Sequence, residues 1–113
     1  MAYKLIVTEH ADELLDHILY YLSFQLKNEQ AVAYLLDELD RIYDRLEENP
    51  WQFPLSGDTY LAAKGYYEAV IGRMNYMIVF RNSGDDVNII GIFHQLENYQ
   101  NNVKTQVSER RKT

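Results

Sequence analysis

Three strand-like runs in tandem, joined by two short polar turns, constrain the fold of this 113-residue chain more than any other feature. Gly65 to Ile71, Asn75 to Arg81 and Asp86 to His94 are dominated by β-branched and aromatic residues, which suit a pleated, half-buried surface. Gly72-Arg73-Met74 and Asn82-Ser83-Gly84-Asp85 separate them, and both segments carry turn-forming residues. Runs this close in sequence can pair only as an antiparallel meander. Such a meander needs a partner layer to cover its apolar face.

The first half of the chain supplies that layer. Tyr3 to Val7 reads as a short strand, and Thr8 stands where a helix N-cap is wanted. Ala11, Leu14, Leu15, Ile18, Leu22 and Leu26 then recur at spacings of three and four, which is one face of a helix. Asn28 is the next capping residue, followed by the stripe Val32, Leu35, Leu36, Leu39, Ile42, Tyr43 and Leu46. Asp37 and Arg41, four apart on its outer side, are expected to pair. Asn49-Pro50 ends the second helix, because proline disfavours helical geometry in the residue before it. Two helices joined so closely form an antiparallel hairpin. The expected fold is therefore α+β: an N-terminal strand, then a helix hairpin packed on a small antiparallel sheet that the C-terminal three-strand meander completes. Residues 50–64, with Pro50, Pro54 and Gly57, are expected to be an irregular connector. Residues 1–99 form the single domain, and 100–113 a polar, flexible tail without apolar period.

Composition narrows the function classes. The chain has no cysteine, so thiolate metal sites and disulfides are excluded. No run has the length of a signal peptide core or a membrane span, and the expected location is the cytoplasm. Residues 1–50 hold eleven acidic side chains against four basic ones, whereas residues 51–113 hold six against seven. The net charge of −6 thus belongs to the helical half. Generic nucleic-acid binding calls for a strong positive field and is disfavoured.

The residues with chemical potential cluster in the sheet half. His94 closes the last run, and strand alternation places it on the face of Ile90 and Ile92. There its imidazole can serve as general base or acid near neutral pH, or it can simply pack at a sheet edge. Arg73 and Arg81 flank the middle strand and Lys64 precedes the first of the three. With His94 they can line one edge of the sheet and hold a phosphate or an acidic partner, or they can be solvated turn charges. Tyr99, five residues beyond His94, either positions a substrate or covers the core edge. In the first helix His10, Glu13 and His17 share a side, but a solvated polar face accounts for them better than a metal does. Most of the ten tyrosines read as core-edge residues, Tyr20, Tyr21 and Tyr34 among them. Trp51-Gln52-Phe53 either packs under the sheet or helps receive a partner segment.

This order of strand, helix hairpin, proline-bearing connector and meander resembles the RelE/ParE superfamily of toxins from type II toxin–antitoxin modules, plasmid stabilisation proteins among them. Asn49-Pro50 with Phe53-Pro54-Leu55, Lys64-Gly65, Asn75-Tyr76 and Phe93-His94 carry the resemblance, over about residues 3–99. It implies a growth-inhibiting toxin neutralised by a cognate antitoxin, as a hetero-oligomer or with a homodimer, and no cofactor. Members similar to RelE cut mRNA on the ribosome without a metal; members similar to ParE poison DNA gyrase. Many relatives carry Arg after the tyrosine of the third strand and again two residues after the closing histidine. This sequence has Met77 and Leu96 there, and so lacks two strong phosphate-binding donors. The resemblance therefore implies a ParE-like, protein-binding toxin first. A ribosome-dependent endoribonuclease using His94, Arg81, Arg73, Lys64 and Tyr99 is the alternative, and a non-toxic binding module a third.

Overall fold

The computed structural model describes residues 3–94, so Leu96, Tyr99 and the segment 100–113 lie outside the described residues. Strand β1 (Lys4–Val7) leads into helix α1 (Glu9–Tyr20), which continues as a single π-helical stretch, Tyr21–Gln25. Helix α2 (Glu29–Glu48), a short helix α3 (Thr59–Ala63) and strands β2 (Tyr66–Ile71), β3 (Tyr76–Ser83) and β4 (Asp86–His94) follow. The strands form one sheet in the order β1-β4-β3-β2. The meander β2–β3–β4 is antiparallel, as expected. β1, however, runs parallel to β4, so the sheet is mixed. No local signal dictates that direction, because these two strands are some eighty residues apart in sequence.

The capping signals act as read. The Thr8 side chain accepts from the Ala11 N–H at 3.2 Å, and that of Asn28 from the Ala31 N–H at 3.0 Å. The Thr8 hydroxyl also donates to the Ile89 carbonyl at 2.8 Å, so one side chain both starts α1 and ties it to β4. Between the helices Lys27 adopts a left-handed conformation, φ 50°, and the Asn28 N–H reaches back to the Leu22 carbonyl at 2.9 Å. This is a helix-closing arrangement in which glycine is the usual residue.

Both helical stripes face the sheet. Ala11, Leu22, Leu35, Leu39, Ile42 and Leu46 are buried against Ala69, Ile71, Ile78, Phe80, Val87, Ile89 and Ile92. Leu26 and Leu36 depart from expectation and are exposed. For Leu26 the reason is the π stretch, whose wider turn carries the residue off the stripe. Arg41 reaches Glu38 at 3.8 Å rather than Asp37, an exposed pair of small energetic weight. The connector is more ordered than its composition suggests. Asn49 caps a 3₁₀ turn at Pro50–Gln52, Leu55 bridges to Tyr67, and Asp58 caps α3, accepting from the Leu61 N–H at 3.0 Å. Helix α3 has five residues and one buried leucine, too few to leave a periodic signal. Leu61 joins Tyr66, Met77, Val79, Ile90 and Phe93 in a second cluster on the sheet face away from the hairpin.

One irregularity resets the sheet. The pairing of β3 with β4 shifts between Val79 and Phe80: Gly91 faces Val79 and Ile89 faces Phe80, leaving Ile90 as the extra residue of a β-bulge. Alternation fails there, and Ile90 turns to the second cluster while Ile92 stays in the main core. The expectation that His94 shares a face with both Ile90 and Ile92 is thus corrected: it shares one with Ile92 alone.

Two outcomes test these packing arguments. Thr8→Val, which keeps the shape and removes the hydroxyl, should lower stability by about 1–2 kcal/mol, with Thr8→Ser restoring most of it. Denaturant unfolding measures both. Tyr43 lies between the helices, where burial, with Asp12 and Asp40 adding to it, pushes the phenol up from 10.0 to about 12. A raised folded-state value favours the protonated phenol, so this contribution is complete below pH 10 and is lost as pH climbs towards 12. Wild-type stability should therefore fall more steeply than that of Tyr43→Phe across this window.

Candidate functional site

The joint at Thr8 decides what surrounds His94. β1 pairs only with the first part of β4, from Asp86 to Ile89, and α1 then crosses the rest of that edge. Leu14 comes so close to Gly91 that a Cβ there would lie 3.0 Å from its Cδ1 and 2.6 Å from the Phe93 ring. Glycine at this position is what admits the helix. Beyond it, α1 and the ends of β3 and β4 enclose an open cleft of about 270 Å³, lined by Leu14, His17, Ile18, Tyr21, Tyr76, Ile92 and His94. The floor is apolar and the rim carries two imidazoles and two phenols. His94 is half-buried and stands edge-on to Tyr76, the ring centroids 5.2 Å apart at 87°.

The basic candidates do not gather here. Arg73, in a 3₁₀ turn over Gly72–Met74, shares His94's end of the sheet but lines a different cleft, with Asn28, Gln30, Ala31, Tyr34 and Met74. Its backbone N–H donates to the Tyr34 hydroxyl at 3.3 Å, and that hydroxyl leaves no room for a Cβ on Gly72. Arg81 lies at the other end of β3. His94 pairs with Tyr76, and the five residues from Tyr76 to Arg81 span roughly 17 Å of strand. The Arg81 guanidinium rests 5.8 Å from the Tyr66 ring, and the Lys64 ammonium 5.7 Å from that of Tyr60. The expectation of one sheet edge lined by His94, Arg73, Arg81 and Lys64 is therefore corrected: the four are divided between two ends. A turn residue and a strand residue can flank the same strand yet lie a strand length apart.

The remaining candidates fall as follows. Met77 is buried in the second cluster, where a guanidinium would have to be buried with it. Among the described residues no three His, Asp or Glu side chains converge as metal ligands. Phe53 packs edge-on to Phe80 at 5.9 Å with the Arg45 guanidinium 4.6 Å over its ring. Trp51 stays half-exposed, its indole N–H donating to the Tyr3 hydroxyl at 3.3 Å. His17 and Tyr21 were not expected beside His94. Their shared helical face with Leu14 and Ile18 is visible in the sequence, but nothing local says that β4 ends opposite it.

The fold and this geometry agree with what the chain is similar to. The model of a family described as the ParE toxin of the type II toxin–antitoxin system parDE matches residues 5–99. A solved structure described as the chromosomal ParDE TA system from P. aeruginosa shares the fold, with a TM-score of 0.65 and 19% identity over 82% of this chain and 96% of that one. No curated protein matches the sequence. Among the described residues, no helix is long and apolar enough to cross a membrane. The match over residues 5–99 takes in the whole hairpin and meander, and by it the chain belongs to the ParE family of type II toxins.

Proposed function

We propose that this toxin arrests growth by binding a protein target, with DNA gyrase as the family's precedent, and that a cognate antitoxin neutralises it in the cytoplasm. The observation that carries the reading is the division of the basic side chains. Cleaving a phosphodiester without a metal needs a base beside the ribose hydroxyl and cations on the same phosphate, all within hydrogen-bond reach. His94 instead faces an apolar cleft with Tyr76 and Ile92, and Lys64 and Arg81 stand a strand length away on tyrosine faces. The helical half, with eleven acidic side chains against four basic, suits a protein partner better than ribosomal RNA.

Induced expression in a bacterial host, with wild type and His94→Ala side by side, tests this. Both should stop growth, and the purified protein should inhibit gyrase supercoiling. Arrest by wild type alone, together with mRNA cleavage on ribosomes and no effect on gyrase, would establish the endoribonuclease instead. Normal growth with soluble, folded protein would mean that only a binding module remains.

A further inference from the structure

At the closed end of the hairpin four large apolar side chains stand in solvent: Phe24 is 66% exposed, Tyr20 58%, Leu26 52% and Tyr21 43%. The Tyr20 and Phe24 rings pack on each other, their centroids 4.9 Å apart at 34°. Tyr21 continues this surface into the cleft floored by Leu14, Ile18 and Ile92. Single exposed apolar residues are ordinary, but a contiguous group bordering an apolar cleft marks an interaction surface. The π-helical stretch lies at this point, and such stretches recur at functional sites.

The charge around the surface selects its occupant. Glu13 and Asp16 are exposed, and on the helix they precede Tyr20 by seven and four residues, on the side that Tyr20 and Phe24 share. No lysine or arginine occurs from residue 5 to residue 26. This field repels nucleic acid and anionic lipid, and a second copy would bring the same acidic hairpin against it. We infer that the surface receives a segment of another protein chain in which an aliphatic or aromatic side chain is flanked by lysine or arginine. The apolar side chain fills the cleft over Ile92, Tyr20 and Phe24 pack beside it, and the cations meet Glu13 and Asp16. Buried aromatic anchors within a charged rim are where binding energy concentrates. This gives the chemistry of the partner in the binding mechanism proposed above, and it rests on that reading for its biological role.

The full chain can be tested with a labelled amphipathic helical peptide of leucine and lysine, its counterpart of leucine and glutamate, and fluorescence anisotropy at low salt. The leucine–lysine peptide should bind and the leucine–glutamate peptide should not. Tyr20→Ser with Phe24→Ser should weaken binding about tenfold or more, whereas Val70→Ser, at an exposed apolar site on β2, should leave it unchanged. Glu13→Lys with Asp16→Lys should weaken it as well, an arm that leaves the aromatic pair intact. Thermal unfolding confirms that each variant is folded. Equal binding by the double-serine variant, or equal binding of the two peptides, would overturn the inference. So would dimers, seen by sedimentation, that the double-serine variant fails to form. Growth arrest plays no part in these measurements, so failure of the proposed toxicity and failure of this surface are separately visible.

Discussion

The Thr8 hydroxyl is the joint on which the rest of the structure depends. It accepts from the Ala11 N–H and donates to the Ile89 carbonyl, to which the Thr8 backbone N–H also donates at 3.2 Å. A helix start and a strand edge thereby share one atom's hydrogen bonds. The Ile89 carbonyl sits beside the bulged Ile90, where the ladder is already disturbed and an extra donor is most useful. From this point α1 has to leave the plane of the sheet and cross the edge of β4. Gly91 makes the crossing possible at close range, and the hairpin then covers the face that carries Ile78, Phe80 and Ile92.

The same joint shapes the chemistry of the surface. By carrying α1 over the end of β4 it sets His17 and Tyr21 opposite His94 and Tyr76 across one cleft. The meander puts Arg81 and Lys64 at the far end, each cation resting on a tyrosine ring. Imidazole and phenol groups over an apolar floor favour holding another side chain. A phosphate would need the cations that stand elsewhere. The acidic hairpin then extends the cleft into a surface with its own charge preference, so fold and electrostatics point the same way.

Much of the fold was legible because its signals are local. Thr8 and Asn28 cap where the apolar periods begin, Asn49-Pro50 ends α2, and the three strand runs fall within a residue or two of β2, β3 and β4. What escaped the sequence was either short or irregular. Helix α3 has a clear cap in Asp58 but too few residues for periodicity. The bulge at Ile90 breaks an alternation that looks uninterrupted in Asn88-Ile89-Ile90-Gly91-Ile92. The π stretch moves Leu26 out of a stripe whose spacing looks regular.

The sequence by itself determined the element types, the hairpin, the meander, the family and the acidic bias of the helical half, since each depends on neighbours within a few residues or on a simple sum. Only the tertiary structure decided that β1 lies parallel to β4, that Arg81 and Lys64 stand apart from His94, and that His17 and Tyr21 come to face it. Those facts depend on strand order, on one bulge and on a helix crossing, where residues some seventy positions apart are brought together by packing rather than by any local preference.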